Sequence, residues 1–429
     1  MYTEHSNTVG LFIDANFESV FFKDMLDAYV ACRKNKRYNN SAVLFEMDYP
    51  NLLYELWTDI VDGAYEIGPS IAFIIQIPRV REIFAALFRD RIVHHLLYNK
   101  FNPFLDKYFI ENSFSCRLKK GTSLAIKTLS VIVEEVSCGY RKDCWIFKFD
   151  IKAFFMSINK TIQFSILEKL VIKFYHESDK EVLLHLAKLV IFDLPQTKCI
   201  FNCKRSLWDN IDKGKTLFNK DANHGQPIGN LTSQLFANMV LDLIDKIILS
   251  MLPGNHYCRY ADDSSYVVAN KELGLQILAK VKHILKTELD LELHPNKIYI
   301  QHFSKGVKFV GGVVKPNRNY ISNKVMYGFE QLIEKYIKLS REHPIRFRNN
   351  LDMFVSSVNS YLGTISKYAT YNFRKQLLLK LLCSPCGHYI YVPKGFSKIV
   401  LLNAYKKRAM AEKELKVMRK IAYYEQNVC

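Results

Sequence analysis

Three acidic residues stand where they can do chemistry. Asp150 closes a short apolar run, WIFKFD at 145–150, and Asp262-Asp263 lie between the aromatic HYCRY and the apolar SSYVV. An apolar hexamer ending in a carboxylate reads as a strand. Asp and Ser supply turn chemistry between two strand-forming flanks, so 256–270 reads as strand, tight turn, strand. A sheet readily sets a strand end beside a hairpin turn, and three carboxylates at one edge repel each other unless cations neutralise them. Two Mg²⁺ ions about 3.5–4 Å apart are what in-line phosphoryl transfer uses to stabilise attacking and leaving oxygens. Oxygen ligands alone suit Mg²⁺, with Mn²⁺ as a substitute. An isolated Asp-Asp pair is ordinary turn chemistry; the strands on both sides of this one point to an active site.

The elements that position these residues follow from the apolar periodicity. Residues 10–70 read as helical, with Leu52, Leu53, Leu56 and Ile60 at helical spacing. Ser70 to Pro78 reads as a strand, and the basic segment after it, RVREIFAALFRDRIVHHLLYNK, is expected to continue as a helix carrying Ile92, Leu96 and Leu97 on one face. A helix is expected over roughly 160–175, then an irregular polar stretch (204–230). A strong amphipathic helix at 232–248 carries Leu235, Phe236, Met239, Val240, Leu243, Ile244 and Ile247. A further helix covers about 272–288, a strand pair lies around 297–314, and the last hundred residues are helical and basic, ending in KKRAMAEKELKVMRK. This order predicts an α+β fold, an antiparallel sheet with helices on one face.

Composition narrows the partners. The 429 residues carry a net charge of +18, a bias toward polyanions and toward nucleic acid above all. No stretch approaches the ~20 apolar residues of a membrane span, and no secretory leader is evident. The ten cysteines are scattered, as in a reduced cytoplasmic protein. Cys383, Cys386 and His388 are spaced to supply up to three zinc ligands, but no second knuckle accompanies them, which favours a turn with ordinary thiols.

YADD at 260–263 resembles the C motif of reverse transcriptases, and the likeness extends along the chain. FKFDIKAFFMSI (147–158) is similar to motif A, HGQPIGNLTSQLFANMVLDLID (224–245) to motif B, and LHPNKIYI (293–300) and VKFVGG (307–312) to motifs D and E. RVREIFAALFRDRIVHHLL (79–97) and SFSCRLKKGT (113–122) resemble the fingers motifs of the group II intron lineage. IGNLTSQ at 228–234, with NSYLG at 359–363, is most similar to diversity-generating retroelement enzymes. The resemblance implies a right-hand polymerase: fingers within 1–144, palm at 145–158 and 223–315 flanking a fingers/palm insertion at 159–222, and a helical basic thumb at 316–429.

It also implies roles for single residues. Asp150, Asp262 and Asp263 would be catalytic and hold two Mg²⁺ ions, helped by the Ile151 carbonyl. Phe155 matches the gate that rejects a 2′-hydroxyl, against plain packing beside Phe154. Gly229 matches the motif B glycine that lets backbone approach nucleotide or template. Ile228 replaces a hydrogen-bonding Gln with an apolar side chain, which weakens discrimination among mispairs. Arg81, with Arg79, matches the triphosphate clamp, and Lys297 the proton donor to pyrophosphate. Asn230, Ser233, Gln234 and Tyr260 would meet template or primer. For Ser233 and its neighbour Thr232, helix capping is an equal alternative. Gly311 and Gly312 would form the primer grip. Expected partners are template RNA, primer or cDNA, dNTPs and an accessory variability protein oligomer. Other readings of the same motifs are an untemplated or protein-primed defence enzyme and a non-catalytic maturase-like scaffold.

Overall fold

The computed structural model describes residues 15–34, 40–75 and 80–406. The amino-terminal region is helical as expected: α1 (Ala15–Arg33), α2 (Asn40–Met47) and α3 (Tyr49–Val61). Leu53, Leu56 and Ile60 supply the buried stripe of α3, and Pro50 falls in its first turn, where a missing N–H costs nothing. β1 (Ile71–Ile75) then pairs antiparallel with β2 (Arg81–Ala85), and the long helix α4 (Phe88–Tyr108) follows. The expectation that the basic segment is helical throughout is thus corrected. Ile83 to Ala86 are consecutively buried, and pairing with β1 overrides any helical tendency before Phe88.

Beyond it lie α5 (Thr122–Val136), β3 (Trp145–Asp150), the one-turn α6 (Phe154–Ser157) and α7 (Lys160–Phe174). The Asn159 side chain caps α7 by accepting the Ile162 N–H. A second helix, α8 (Lys180–Phe192), was not anticipated. The two-residue β4 (Ile200–Phe201) lies parallel to β1, and the irregular stretch at 204–230 that follows it holds only short 3₁₀ turns. The motif B helix is α9 (Leu231–Met251), with β5 (Tyr257–Tyr260), β6 (Asp263–Val268) and α10 (Lys271–Glu288) after it.

The expected strand pair near 297–314 is divided between two sheets. β7 (Tyr299–His302) pairs with β3, whereas β8 (Val307–Phe309), β9 (Gly312–Lys315) and β10 (Arg318–Ile321) make a separate antiparallel sheet. The remainder is α11 (Asn323–Glu342), α12 (Pro344–Arg348), α13 (Leu351–Ile365), α14 (Tyr371–Leu382) and a small ladder of β11 (Ile390–Tyr391) and β12 (Val400–Leu401). The basic tail lies, from residue 407 on, outside the described residues.

Two compact units divide this chain. The first comprises the described parts of Met1–Arg117, with Asp150–Met251 and Gln276–Ile298. Its core gathers Phe21, Leu56, Phe88, Leu97, Leu183 and Phe236 from five helices, and its sheet has the order β2-β1-β4. The second comprises Leu118–Phe149, Leu252–Leu275 and the described part of Tyr299–Cys429. It holds the sheet β5-β6-β3-β7, apart from the final residue of β3, and a helical core around Phe329, Ile333, Phe354 and Leu378. Cys386 is buried there, its thiol directed to the Tyr336 carbonyl at 3.5 Å, while Cys383 is exposed. The nine described cysteines are free thiols, and no described helix is long and apolar enough to cross a membrane.

Candidate active site

The second unit carries the hairpin. Tyr260 pairs with Asp263, which leaves Ala261-Asp262 as the turn, and Ala261 takes a left-handed φ of 54°. A non-glycine residue in that region costs on the order of 1 kcal/mol and needs support. Arg259 supplies it: its side chain is 1 % exposed and donates to the Ala261 carbonyl at 3.1 Å. Nothing in local patterning singles out Arg259, because the contact depends on the turn itself. The Cys258 thiol beside it is pushed up by burial, and further by the charge of Asp263.

Strand β3 runs between β6 and β7. Its alternation puts Lys148 and Asp150 on one face, with Phe147 and Phe149 on the other. Phe147 stacks on Tyr266 at 4.9 Å, and its carbonyl accepts from the Ser265 hydroxyl at 3.1 Å. Lys148 Nζ lies 3.1 Å from Asp263 Oδ1 and 5.8 Å from the centre of the Tyr299 ring, the residue paired with it on β7. The motif E turn is also in this unit. Val310 and Gly311 carry φ values of 41° and 89°, so the β8–β9 connection is a two-residue turn with both centres left-handed. Gly312 follows it, packed where an added Cβ would stand 2.7 Å from Ile126 and from the Tyr368 hydroxyl.

The first unit carries Asp150 and motif B. Asp150 meets Lys297 Nζ with both carboxylate oxygens at 2.9 Å. Lys297 sits on a 3₁₀ turn, Pro295–Lys297, whose first amide bonds His294 Nδ1. The bridge Ile151↔Leu293 holds the two segments together. It uses the Asp150 carbonyl and the Lys152 amide, not the carbonyl of Ile151.

Phe155 is half-buried, edge-on to Phe154 at 5.4 Å, and packs with Ile228 against a small cluster of Ala72, Phe84, Met156 and Leu217. The sequence proposes a gate and an apolar residue as separate features; the structure brings both to one patch. Gly229 explains itself structurally. Its φ is +136°, and an added Cβ would lie 2.8 Å from the Phe84 carbonyl oxygen and from Ile83. The Phe84 amide meanwhile donates to the Ile228 carbonyl at 2.9 Å. Strand β2 is therefore the wall against which the motif B loop is laid.

Buried polar contacts finish that docking. Asn230 Oδ1 accepts from the Ala86 amide at 3.1 Å, and Thr232 bonds His94 at 2.7 Å. Burial, then His95 and Arg91, drive the His94 pKa down to about 3, so its ring is neutral. Ser233 is also buried, whereas Gln234 is exposed and accepts from the Cys116 thiol at 2.7 Å. Arg81 is the exposed first residue of β2; Arg79 lies outside the described residues. Arg117 of the SFSCRLKKGT segment spends its guanidinium on Asp106 and on the Ile110 and Ser113 carbonyls, bracing its own loop.

Among the described residues no three His, Cys, Asp or Glu side chains converge as a metal cluster. Ammonium groups sit instead on Asp150 and Asp263. The donors are hard oxygens that already draw positive charge, which fits a divalent cation such as Mg²⁺.

The profile of the reverse transcriptase (RNA-dependent DNA polymerase) family matches residues 79–314, more than half of the chain. The chain belongs to this family. Its family activity is RNA-directed DNA polymerisation, a nucleotidyl transfer, and members of the family use divalent ions, typically Mg²⁺. The mixed helix-and-sheet architecture is that of the expected right-hand polymerase fold. No curated protein sequence matches. Solved structures similar to this chain include telomerase from Candida albicans in complex with a TWJ fragment of telomeric RNA, at 11% identity and TM-score 0.43, covering 80% of this chain and 67% of that one. Another is apo telomerase from Candida tropicalis truncated from its C-terminal domain, at 12% identity and TM-score 0.42, covering 60% of this chain. The chain spans 55% of the length of that second structure.

Proposed function

We propose that this reverse transcriptase extends a primer along an RNA template, at a site formed by Asp150, Asp262 and Asp263, as the error-prone enzyme of a diversity-generating retroelement. One observation carries the reading of the site. β3, which ends at Asp150, neighbours β6, which begins at Asp263, and the Ser265–Phe147 and Lys148–Asp263 contacts set the register between them. Two Mg²⁺ or Mn²⁺ ions held by these carboxylates and the Ile151 carbonyl would stabilise charge on the attacking and leaving oxygens.

The chain's own residues do the rest. Phe155, backed by Phe154, presents a ring edge that excludes a 2′-hydroxyl. Ile228 beside it has no group to hydrogen-bond a base or sugar, so a mispaired nucleotide loses little that a correct one keeps. Lys297 keeps an ammonium beside Asp150 and hands its proton to the departing pyrophosphate. Arg81, with Arg79, clamps the triphosphate through its planar donor fork. Exposed Gln234 and half-exposed Tyr260 meet template or primer, while buried Asn230 and Ser233 shape the loop from behind. The Gly311-Gly312 turn grips the primer, and the thumb at 316–429 follows the hybrid by shape. In this reading the palm comprises 145–158 and 223–315, and the fingers fall within 1–144. The partners in this reading are an RNA template, a primer and an accessory variability protein oligomer, in the cytoplasm.

The test is primer extension on a defined RNA template with MgCl₂ and dNTPs, comparing the wild type with Asp262→Asn/Asp263→Asn and sequencing every product. Templated DNA from the wild type alone, with errors concentrated at template adenines, is the expected result. Untemplated tails would move the chain to the defence-type synthesisers. Faithful copying would remove the diversifying role and leave the polymerase.

A further inference from the structure

Lys148 is absent from the roles that the family resemblance assigns, yet its surroundings are specific. It stands two residues before Asp150 and shares its face of β3. Its side chain is only 16% exposed. On one side its ammonium lies 3.1 Å from Asp263, and on the other it lies over Tyr299. The ring is fixed by strand register, since Lys148 and Tyr299 are paired residues of β3 and β7. Asp263 is fixed as the first residue of β6, paired with Tyr260. The lysine therefore bridges three adjacent strands.

A part-buried ammonium is a costly way to fill space, because desolvation disfavours it unless a carboxylate repays the loss. An aliphatic side chain would cover Tyr299 equally well. What the aliphatic chain lacks is a positive charge aimed at a residue of the proposed triad.

We propose that Lys148 is a positioning residue of the active site, which orients the Asp263 carboxylate and supplies its counter-charge until a divalent cation is bound. This rests on the reading of Asp263 as a triad member. A brace with no relation to the cation would stabilise the protein equally at every cation concentration. A counter-charge stabilises it most when divalent cation is scarce, and it opposes cation binding when cation is abundant.

Thermal unfolding of the full chain against MgCl₂ at constant ionic strength separates the two. Binding to the folded state alone raises the melting temperature with concentration. Lys148→Met should melt below the wild type without Mg²⁺ and recover more on its addition. Its half-saturating Mg²⁺ concentration should fall about fivefold, the value of one modest ion pair. Lys148→Arg, which keeps the charge, should follow the wild type. Parallel curves for Lys148→Met and wild type would overturn the proposal, as would Lys148→Arg behaving like Lys148→Met. Should Lys148→Met fail to fold, Lys148→Gln replaces it in the same comparison. A wild type that extends primers while the curves stay parallel removes only this inference. A wild type that neither extends primers nor responds to Mg²⁺ removes the proposed active site with it.

Discussion

The two lysine–aspartate pairs are built from opposite materials. Lys148 and Asp263 are held on neighbouring strands, with Lys148 mostly buried and seated on an aromatic ring. Lys297 meets Asp150 from a 3₁₀ turn, with 37% of its side chain exposed. Packing between a carboxylate and a ring restricts the rotamers of Lys148, whereas the more exposed Lys297 has room to change rotamer. The fixed pair thus suits orientation and the loose pair suits transfer of a proton, although both unite the same two functional groups. Loops on a rigid scaffold are where such mobile chemistry usually resides.

The largest effect should come from the carboxylates that both pairs serve. Asp150→Asn, or Asp262→Asn with Asp263→Asn, should slow primer extension about a thousandfold or more, with circular dichroism unchanged, because transition-state charge goes uncompensated. Activity within tenfold of wild type would deny these residues the central role.

Lys297→Met is expected to slow extension by about a hundredfold, as the loss of a general acid does, with little change in melting temperature. If it lowers the melting temperature as much as Lys148→Met does, the distinction between a loose and a fixed pair disappears.

The loop-borne half can also be broken through its backbone. Gly229→Ala places a methyl group 2.8 Å from the Phe84 carbonyl oxygen at a φ of +136°, and should cost about 2–3 kcal/mol in denaturant unfolding. An effect under about 0.5 kcal/mol would mean that β2 does not press on the loop as described.

The smallest effect concerns pH. His224, first residue of motif B, bonds Asp290 at 2.9 Å through Nε2 and Asp221 at 2.9 Å through Nδ1. These carboxylates raise its pKa, the Asp290 bond most, while His224 lowers the pKa of both partners. The histidine's contribution is complete below its unfolded pKa of about 6.5 and is lost as pH rises through the folded value. The aspartates' contribution is present above about 3.8 and is lost as pH falls through their depressed folded values. The stabilisation therefore peaks between about pH 4 and 6.5 and is worth less than about 1 kcal/mol, since the groups are largely solvated. His224→Gln should flatten stability between pH 6 and 8; an unaltered slope would show that the bridge contributes nothing.

What could be read from the sequence was local. The β3 strand, the YADD hairpin and the motif B helix each show their period within a dozen residues, and each stands where patterning puts it. The β2 strand departs from the expected helix because REIFA suits strand or helix, and pairing with the neighbouring strand β1 decides. β7 lies where a strand is expected, but its pairing with β3, some 150 residues away, is not legible from local pattern. Arg259, Lys148 and the His94–Thr232 bond act through contacts that no spacing reveals. Leu243, placed by periodicity in the buried stripe of α9, is 39% exposed, while Asp242 and Asp245 are buried. A hydrophobic stripe locates a helix better than it locates the helix's polar partners.

One buried carboxylate organises the irregular stretch between motifs A and B. Glu82 on β2 accepts from the Trp208 indole at 3.0 Å, the Thr216 hydroxyl at 2.7 Å and the Leu217 amide at 2.5 Å. Between Trp208 and Thr216 the chain is a solvated excursion pegged at both ends, with Lys213 and Lys215 exposed. A fluorophore or short epitope grafted at Gly214 should leave the peg and the palm undisturbed, giving a reporter attached to a single fixed point on β2.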